Sequence, residues 1–136
     1  MKKRNILFLF IFILLTACSS QTIVTDEVAF VGEGKYWNAK YIYDARLYDE
    51  KHISWVEIAF KEEGEFDFDI NDIDIEFKSR DSSITGKVGD METKIDKNKI
   101  SFLVGTVNVE TYKEDKYELT VKFKEQKDVV KLKAID

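Results

Sequence analysis

The sequence predicts an all-β domain behind an N-terminal export signal. The form expected is an antiparallel immunoglobulin-like sandwich of about seven to nine strands over residues 27–136, with a small closed β-barrel of the lipocalin type as the alternative. Three observations carry this. From Glu27 onward, apolar residues recur with period two, the spacing of a half-buried strand. Turn-forming clusters interrupt that alternation about every eight to twelve positions, and no convincing amphipathic helix stands between them. Aromatic residues make up 13% of the chain, proline is absent, and Cys18 is the only cysteine. An exported domain of this composition is held by its hydrophobic core, not by disulfides.

Residues 1–17 have the parts of an export signal. Lys2, Lys3 and Arg4 give a positive start, and Ile6 to Leu15 is an unbroken apolar run. Ten helical residues rise only about 15 Å, against a bilayer core of about 30 Å, so the run is too short to stay as a span. Leu15, Thr16, Ala17 and Cys18 then fit a lipobox: apolar, small, Gly or Ala, Cys. The pattern resembles that of bacterial lipoproteins. The resemblance implies cleavage between Ala17 and Cys18 and a diacylglyceryl group on the Cys18 thiol. Two acyl chains at about 0.8 kcal/mol per buried CH₂ give a stable anchor. The expected location is therefore the extracellular face of the cell membrane, or its periplasmic face in an organism with an outer membrane.

Removing residues 1–17 of the 136 leaves 119, one ordinary domain. With Lys2, Lys3 and Arg4 gone, 18 basic residues face 26 acidic ones, a balance of −8. Such a chain is unsuited to nucleic acid, which rewards basic patches. Its overall charge suits a cationic partner or metal ions, or serves solubility. Residues 18–26 read as the lipidated cysteine and a short polar tether.

The strands follow in order. Val28 to Val31 form a first one, closed by Gly32. The longest alternation puts Trp37, Ala39, Tyr41, Tyr43, Ala45 and Leu47 on one face, and Asp49-Glu50-Lys51 reads as a turn. Ile53 and Trp55 start a strand that Val56, Ile58 and Phe60 continue in the opposite phase, which predicts a β-bulge near Trp55. The alternation at Phe66, Phe68 and Ile70 shifts phase before Ile73, Ile75 and Phe77. A hairpin there would set Asp69 against Asp74 and Asp67 against Glu76. Like charges directly opposed are destabilising, so residues 66–70 read as a loop leading into a strand at 73–78. Ile84 to Val88 and Met91 to Ile95 are weaker strands. Ile100, Phe102 and Val104 resume the alternation, as do Tyr117, Leu119, Val121 and Phe123. Glu125 to Asp128 reads as a turn before a last strand at Val130, Leu132 and Ala134.

The stretch Gly32-Glu33-Gly34-Lys35-Tyr36-Trp37-Asn38-Ala39-Lys40-Tyr41 resembles the opening of a family of small cell-surface lipoproteins of Bacillus-type (Firmicute) bacteria. In that family Gly-Glu-Ser-x-x-Trp begins an extended strand, with a Tyr four residues after the Trp; Gly34 stands here where the family often has Ser. Lys116 to Lys133 is similar to the family's closing pair of strands. The resemblance implies a surface lipoprotein with a sandwich-like domain and no assigned catalytic residue.

Among chemistry-bearing residues the acidic stretch Glu62 to Glu76 is the sharpest feature. Asp67, Asp69, Asn71, Asp72 and Asp74 offer oxygen ligands of the type calcium takes, and Asp67-x-Asp69-x-Asn71 begins like an EF-hand loop. The pattern then fails, with Asp72 at the glycine position and Lys78 at the position of the bidentate Glu. Asp67, Asp69, Asp72 and Asp74 thus stand as a candidate acidic contact or weak Ca²⁺ site, with a solvated strand face as the plainer account. His52 is the only histidine and reads as a surface residue; one His without a free Cys cannot hold zinc. No Gly-x-Ser-x-Gly elbow is present. Trp37, Tyr41 and Tyr43 read as core, and Tyr36 and Tyr48 as surface residues. The expectation is a non-catalytic, lipid-anchored binding or accessory domain without a cofactor. A small-ligand or calcium carrier of barrel type is the second expectation.

Overall fold

The computed structural model describes residues 21–62, 69–105 and 107–135. The signal segment, Cys18 and Asp67 lie outside the described residues. Nine strands follow one another: β1 (Glu27–Glu33), β2 (Trp37–Asp44), β3 (Ser54–Phe60), β4 (Ile73–Lys78), β5 (Ser83–Lys87), β6 (Thr93–Asp96), β7 (Lys99–Val104), β8 (Lys116–Phe123) and β9 (Gln126–Ala134). One helix, α1 (Ala45–Lys51), joins β2 to β3, and single 3₁₀ turns occupy Ile70–Asp72 and Val88–Asp90. All nine strands share one ladder in the order β5-β4-β8-β9-β1-β2-β3-β7-β6. Every pairing in it is antiparallel.

The ladder is strongly curled. Laid flat, β2 and β4 would stand four strand spacings apart, about 19 Å. Yet the rings of Tyr41 on β2 and Phe77 on β4 have centroids 5.0 Å apart. Tyr117 on β8 lies 4.7 Å from Tyr41 and stacks on Phe77 at 5.4 Å. Phe30 on β1 meets Tyr117 edge-on at 4.8 Å. These rings fill the concave side and hold the two flanks of the sheet face to face. The molecule thus has the facing layers of a sandwich and the single ladder of an open barrel.

Alternation sets which side chains reach that interior. Trp37, Ala39, Tyr41 and Tyr43 are buried on β2, Ile73, Ile75 and Phe77 on β4, and Tyr117, Leu119, Val121 and Phe123 on β8. Each large side chain so buried contributes about 1.5–3 kcal/mol of transfer free energy. Val56 and Ile58 on β3 pair with Phe102 and Ile100 on β7 in the same layer.

Four local readings are corrected. Residues 45–51 are a helix, not the end of a strand and a turn. Asp44 caps its start, its carboxylate accepting from the backbone N–H of Arg46 and Leu47, and His52 ends it in the left-handed region at φ 55°. Ala45 and Leu47 happen to continue the strand's alternation, which masks the cap. Tyr48, expected on the surface, is 5% exposed on the inner side of this helix. β3 runs in unbroken register with β2 and β7, so no bulge is needed. Its inward phase is Ser54, Val56 and Ile58, while Trp55 faces outward beneath the Lys94 ammonium, 4.9 Å from its ring. Finally, the β8–β9 turn is only Lys124-Glu125, with Phe123 paired to Gln126. Asp128 therefore lies within β9 and points inward.

Residues 66–68 of the expected loop lie outside the described residues; the strand expected at 73–78 is β4. Asp74 lies between Lys87 of β5 and Lys122 of β8, not opposite Asp69.

Candidate functional site

Of the acidic residues singled out in the sequence, Asp69, Asp72 and Asp74 lie among the described residues, the first two at one 3₁₀ turn and the third on β4. The Asp69 carboxylate is used locally: it accepts from the Asn71 backbone N–H at 2.9 Å and from the Asn71 side chain at 2.8 Å, capping the 3₁₀ turn. Asp72 is exposed within that turn. Asp74 points outward from β4 between two lysines. Among the described residues no group of three or more acidic, His or Cys side chains is placed to hold a metal ion. His52 is exposed at the helix end, edge-on to Tyr48.

Among the described residues one sheet face gathers basic side chains. It is the outward face of β5-β4-β8-β9, and the register lays them out in rows. Lys116 stands directly opposite Lys133, and Lys122 directly opposite Lys127. Glu118 sits between Lys131 and Lys78, and Asp74 between Lys122 and Lys87. The face carries seven exposed lysines, at 78, 87, 116, 122, 127, 131 and 133, against the three carboxylates of Asp74, Glu76 and Glu118. A surplus of four positive charges thus lies on one face of an acidic chain. A shallow depression of ≈ 730 Å³ opens on it, bordered by Lys78, Arg80, Lys116, Lys131 and Lys133 and by Glu33 and Glu118. Like charges directly opposed on neighbouring strands cost roughly 0.2–1 kcal/mol per pair. Two such pairs on one hairpin oppose folding and concentrate a field suited to anions.

Two buried polar devices set the frame of this face. The first is Asp128, 5% exposed on β9. Its carboxylate accepts from the backbone N–H of Lys35 at 2.9 Å, Tyr36 at 2.8 Å and Trp37 at 3.0 Å. This clamps the β1–β2 turn onto β9. A Cβ on Gly34 would come within 2.4 Å of that carboxylate, and one on Gly32 within 2.1 Å of the Lys131 carbonyl oxygen. Both glycines of the Gly-Glu-Gly stretch are therefore required by close approach.

The second device gathers at the opposite end of β8. Asp115, with 5% of its side chain exposed, accepts from Arg80 Nη1 at 2.8 Å and from the Tyr112 backbone N–H at 2.9 Å. The guanidinium also reaches the Glu110 carbonyl oxygen and Asp81, whose carboxyl it holds below the ordinary carboxylate range. Asn108 donates to the Tyr117 hydroxyl at 3.1 Å, and the Tyr48 hydroxyl donates to the Asn108 carbonyl oxygen. Residues 107–115 are thereby tied to α1 and to the β4–β5 turn. Near them, among the described residues, Tyr41 Oη, Ser54 Oγ, Asn108 Oδ1 and Thr111 Oγ1 are buried without a hydrogen bond of good geometry, although Ser54 lies beside the Tyr41 hydroxyl and Thr111 beside that of Tyr117. Burial drives the Tyr41 and Tyr117 hydroxyls well above the usual tyrosine value, so both stay protonated. Neutral hydroxyls beside a carboxylate already paired with arginine make a structural network.

The chain also docks earlier than a tether over 18–26 implies. Val24 is buried and its N–H donates to the Thr111 carbonyl oxygen at 2.9 Å, while the Lys113 N–H donates to that of Thr22 at 2.9 Å. Ile23 bridges to Tyr112, and Glu114 accepts from the Thr22 N–H at 2.9 Å.

The lysine face was legible only in part. Lys116, Lys122, Lys127, Lys131 and Lys133 alternate visibly along the last two strands, but their neighbours on β4 and β5 depend on strand order. Comparison of the chain with protein-family models, curated proteins and solved structures gives no match.

Proposed function

We propose that this protein is a non-catalytic binding domain, lipid-anchored through Cys18 on the outer face of the cell membrane, and that it engages an anionic partner through the outward face of β4, β8 and β9. The observation that carries the reading is the pair of unfavourable lysine oppositions, Lys116–Lys133 and Lys122–Lys127. A fold gains nothing from them internally, and an anion spread over the face would relieve them. The interior supports a surface site over a carried small molecule, since Tyr41, Phe77, Tyr117 and Phe30 occupy it. The lipobox Leu15 to Cys18 supports the anchor.

Binding to polyphosphate, a generic polyanion, tests the face. Affinity should fall steeply with rising salt. The triple variant Lys127→Glu/Lys131→Glu/Lys133→Glu should lose at least about tenfold, roughly 1.4 kcal/mol. The control Lys94→Glu/Lys99→Glu, on β6 and β7, should bind as the parent does. Equal losses in both variants would show a general charge effect and defeat the assignment. The anchor is tested separately by the mass of the mature N-terminus, which should carry a diacylglyceryl group that Cys18→Ala abolishes.

A further inference from the structure

The anionic partner can be named by its chemistry. We infer that the lysine face lies against the phospholipid bilayer itself, so that the domain rests side-on on anionic lipid headgroups. This rests on the lipid-anchored reading above.

The reach of the chain is the first observation. Thr22 to Val24 are fixed to residues 111–113 by backbone hydrogen bonds. Cys18 is four residues before Thr22, and four extended residues span at most about 14 Å. An acyl group on Cys18 therefore holds the domain within that distance of the membrane plane. It cannot float free at the end of a long linker.

The second is what lies beside the attachment point. A concavity of ≈ 610 Å³ lies beside the docked segment, lined by Lys113, Lys116 and Lys133 together with Glu27, Glu114 and Asp115. Lys116 and Lys133 are the first row of the lysine face, and the remaining rows continue along β8 and β9. The lysine rows thus start beside the attachment point, at a concavity of mixed charge, and turn basic along β8 and β9.

The third is the composition of the face. Val129 is 43% exposed, directly opposite Thr120 and two residues along β9 from both Lys127 and Lys131. Ile135, 56% exposed, follows β9 at the anchored end. Lysines around isolated exposed apolar side chains suit the interfacial zone, where phosphates meet the ammonium groups and the apolar groups enter the acyl boundary. A lipid surface also matches the shape of the charge: a broad face with a shallow depression, not a deep pocket.

The test uses the mature, lipidated protein on vesicles. Cys18 is consumed by the anchor, so Val129→Cys gives one thiol for an environment-sensitive fluorophore. On phosphatidylcholine vesicles containing phosphatidylglycerol, its emission should shift to the blue and become accessible to a lipid-phase quencher. The shift should be lost on pure phosphatidylcholine and at high salt. It should also be lost when Lys127→Glu, Lys131→Glu and Lys133→Glu are added, although the protein still floats with the vesicles. A label at Lys97→Cys, in the β6–β7 turn, should stay aqueous throughout. A Val129 label that stays aqueous while the protein floats with anionic vesicles would overturn the side-on inference and leave the anchor standing. That result, together with retained polyphosphate binding, would assign the face to a soluble anionic polymer. Protein that lacks the acyl mass and floats with neither vesicle would overturn the anchor, and the side-on geometry with it.

Discussion

Replacing Asp128 with alanine tests whether one inward carboxylate secures the β1–β2 turn. Asp128 accepts three backbone N–H groups, from Lys35, Tyr36 and Trp37. Hydrogen bonds to a charged acceptor contribute about 1.5–3 kcal/mol each before compensation. Lys35 is exposed and Tyr36 half-buried, so their amides recover much of this from water. Trp37 is 1% exposed, and its amide would be left unsatisfied at a cost of about 1–3 kcal/mol. Alanine also leaves a small void. The expected loss for Asp128→Ala is about 3 kcal/mol, and for Asp128→Asn, which keeps one acceptor oxygen, about half that. At about 4 °C per kcal/mol for a domain of this size, Asp128→Ala should melt roughly 12 °C lower. Urea unfolding followed by tryptophan fluorescence gives the free energies. The steric half of the argument has its own check. Gly34→Ala places a Cβ 2.4 Å from an Asp128 oxygen, so alone it should destabilise by about 1–3 kcal/mol. Combined with Asp128→Ala, that clash disappears, and the double variant should lose at least about 1 kcal/mol less than the sum of the singles. A loss below about 1 kcal/mol for Asp128→Ala, or strict additivity in the cycle, would refute the clamp.

Three further outcomes follow from the same geometry. Tyr41 carries a buried hydroxyl with Ser54 beside it but no hydrogen bond of good geometry, so Tyr41→Phe should change stability by less than about 1 kcal/mol in urea unfolding; a larger loss would show a full-strength bond to Ser54. The Tyr41 and Tyr117 hydroxyls are held above their ordinary value of 10 by burial, so the folded state keeps protons that the unfolded state releases. The stability this represents is complete below pH 10 and declines as pH rises above it. In a titration at the tyrosinate absorbance band these two should ionise only on unfolding, and early, reversible ionisation of all six tyrosines would contradict their burial. Lys127→Glu turns the opposed pair with Lys122 into an attractive one, and should stabilise the domain by up to about 0.5 kcal/mol while weakening polyanion binding; a destabilised variant would remove the claim that the face sacrifices stability for binding.

Period two revealed most of the strands because antiparallel alternation is a local property: a side chain's face is set by its own parity. Trp37, Tyr41 and Tyr43, and likewise Ile73, Ile75 and Phe77, reach the core as their spacing predicts. The misreadings arise where a second local signal competed. Asp44 is a helix cap, but Ala45 and Leu47 imitated a continuing strand. At β3 the polar Ser54 occupies an inward position while the apolar Trp55 faces out. Hydrophobicity thus reported the wrong phase, and a bulge was inferred to reconcile it. Asp128 looked like a turn residue because buried carboxylates are rare. Its burial makes sense only beside the three amides of a turn more than ninety residues earlier.

Net charge does not describe any one face of the fold, and the reason is topological. The mature balance of −8 points to a cationic partner if charge is treated as uniform. In the fold, acidic residues such as Asp26, Asp49, Glu50, Asp69, Asp72, Glu110 and Glu114 lie outside the strands. The outward positions of β8 and β9 hold lysine instead, and β4 and β5 bring Lys78 and Lys87 alongside. β4 reaches β8 only because residues 79–115 are crossed before β8 joins the ladder beside it. The face is therefore assembled from segments about forty residues apart, which no window along the chain can sum. At a Debye length of about 8 Å, a surface responds to the charges beside it far more than to the molecule's total. An anion approaching β8 and β9 meets a surplus of lysine, whatever the sign of the whole.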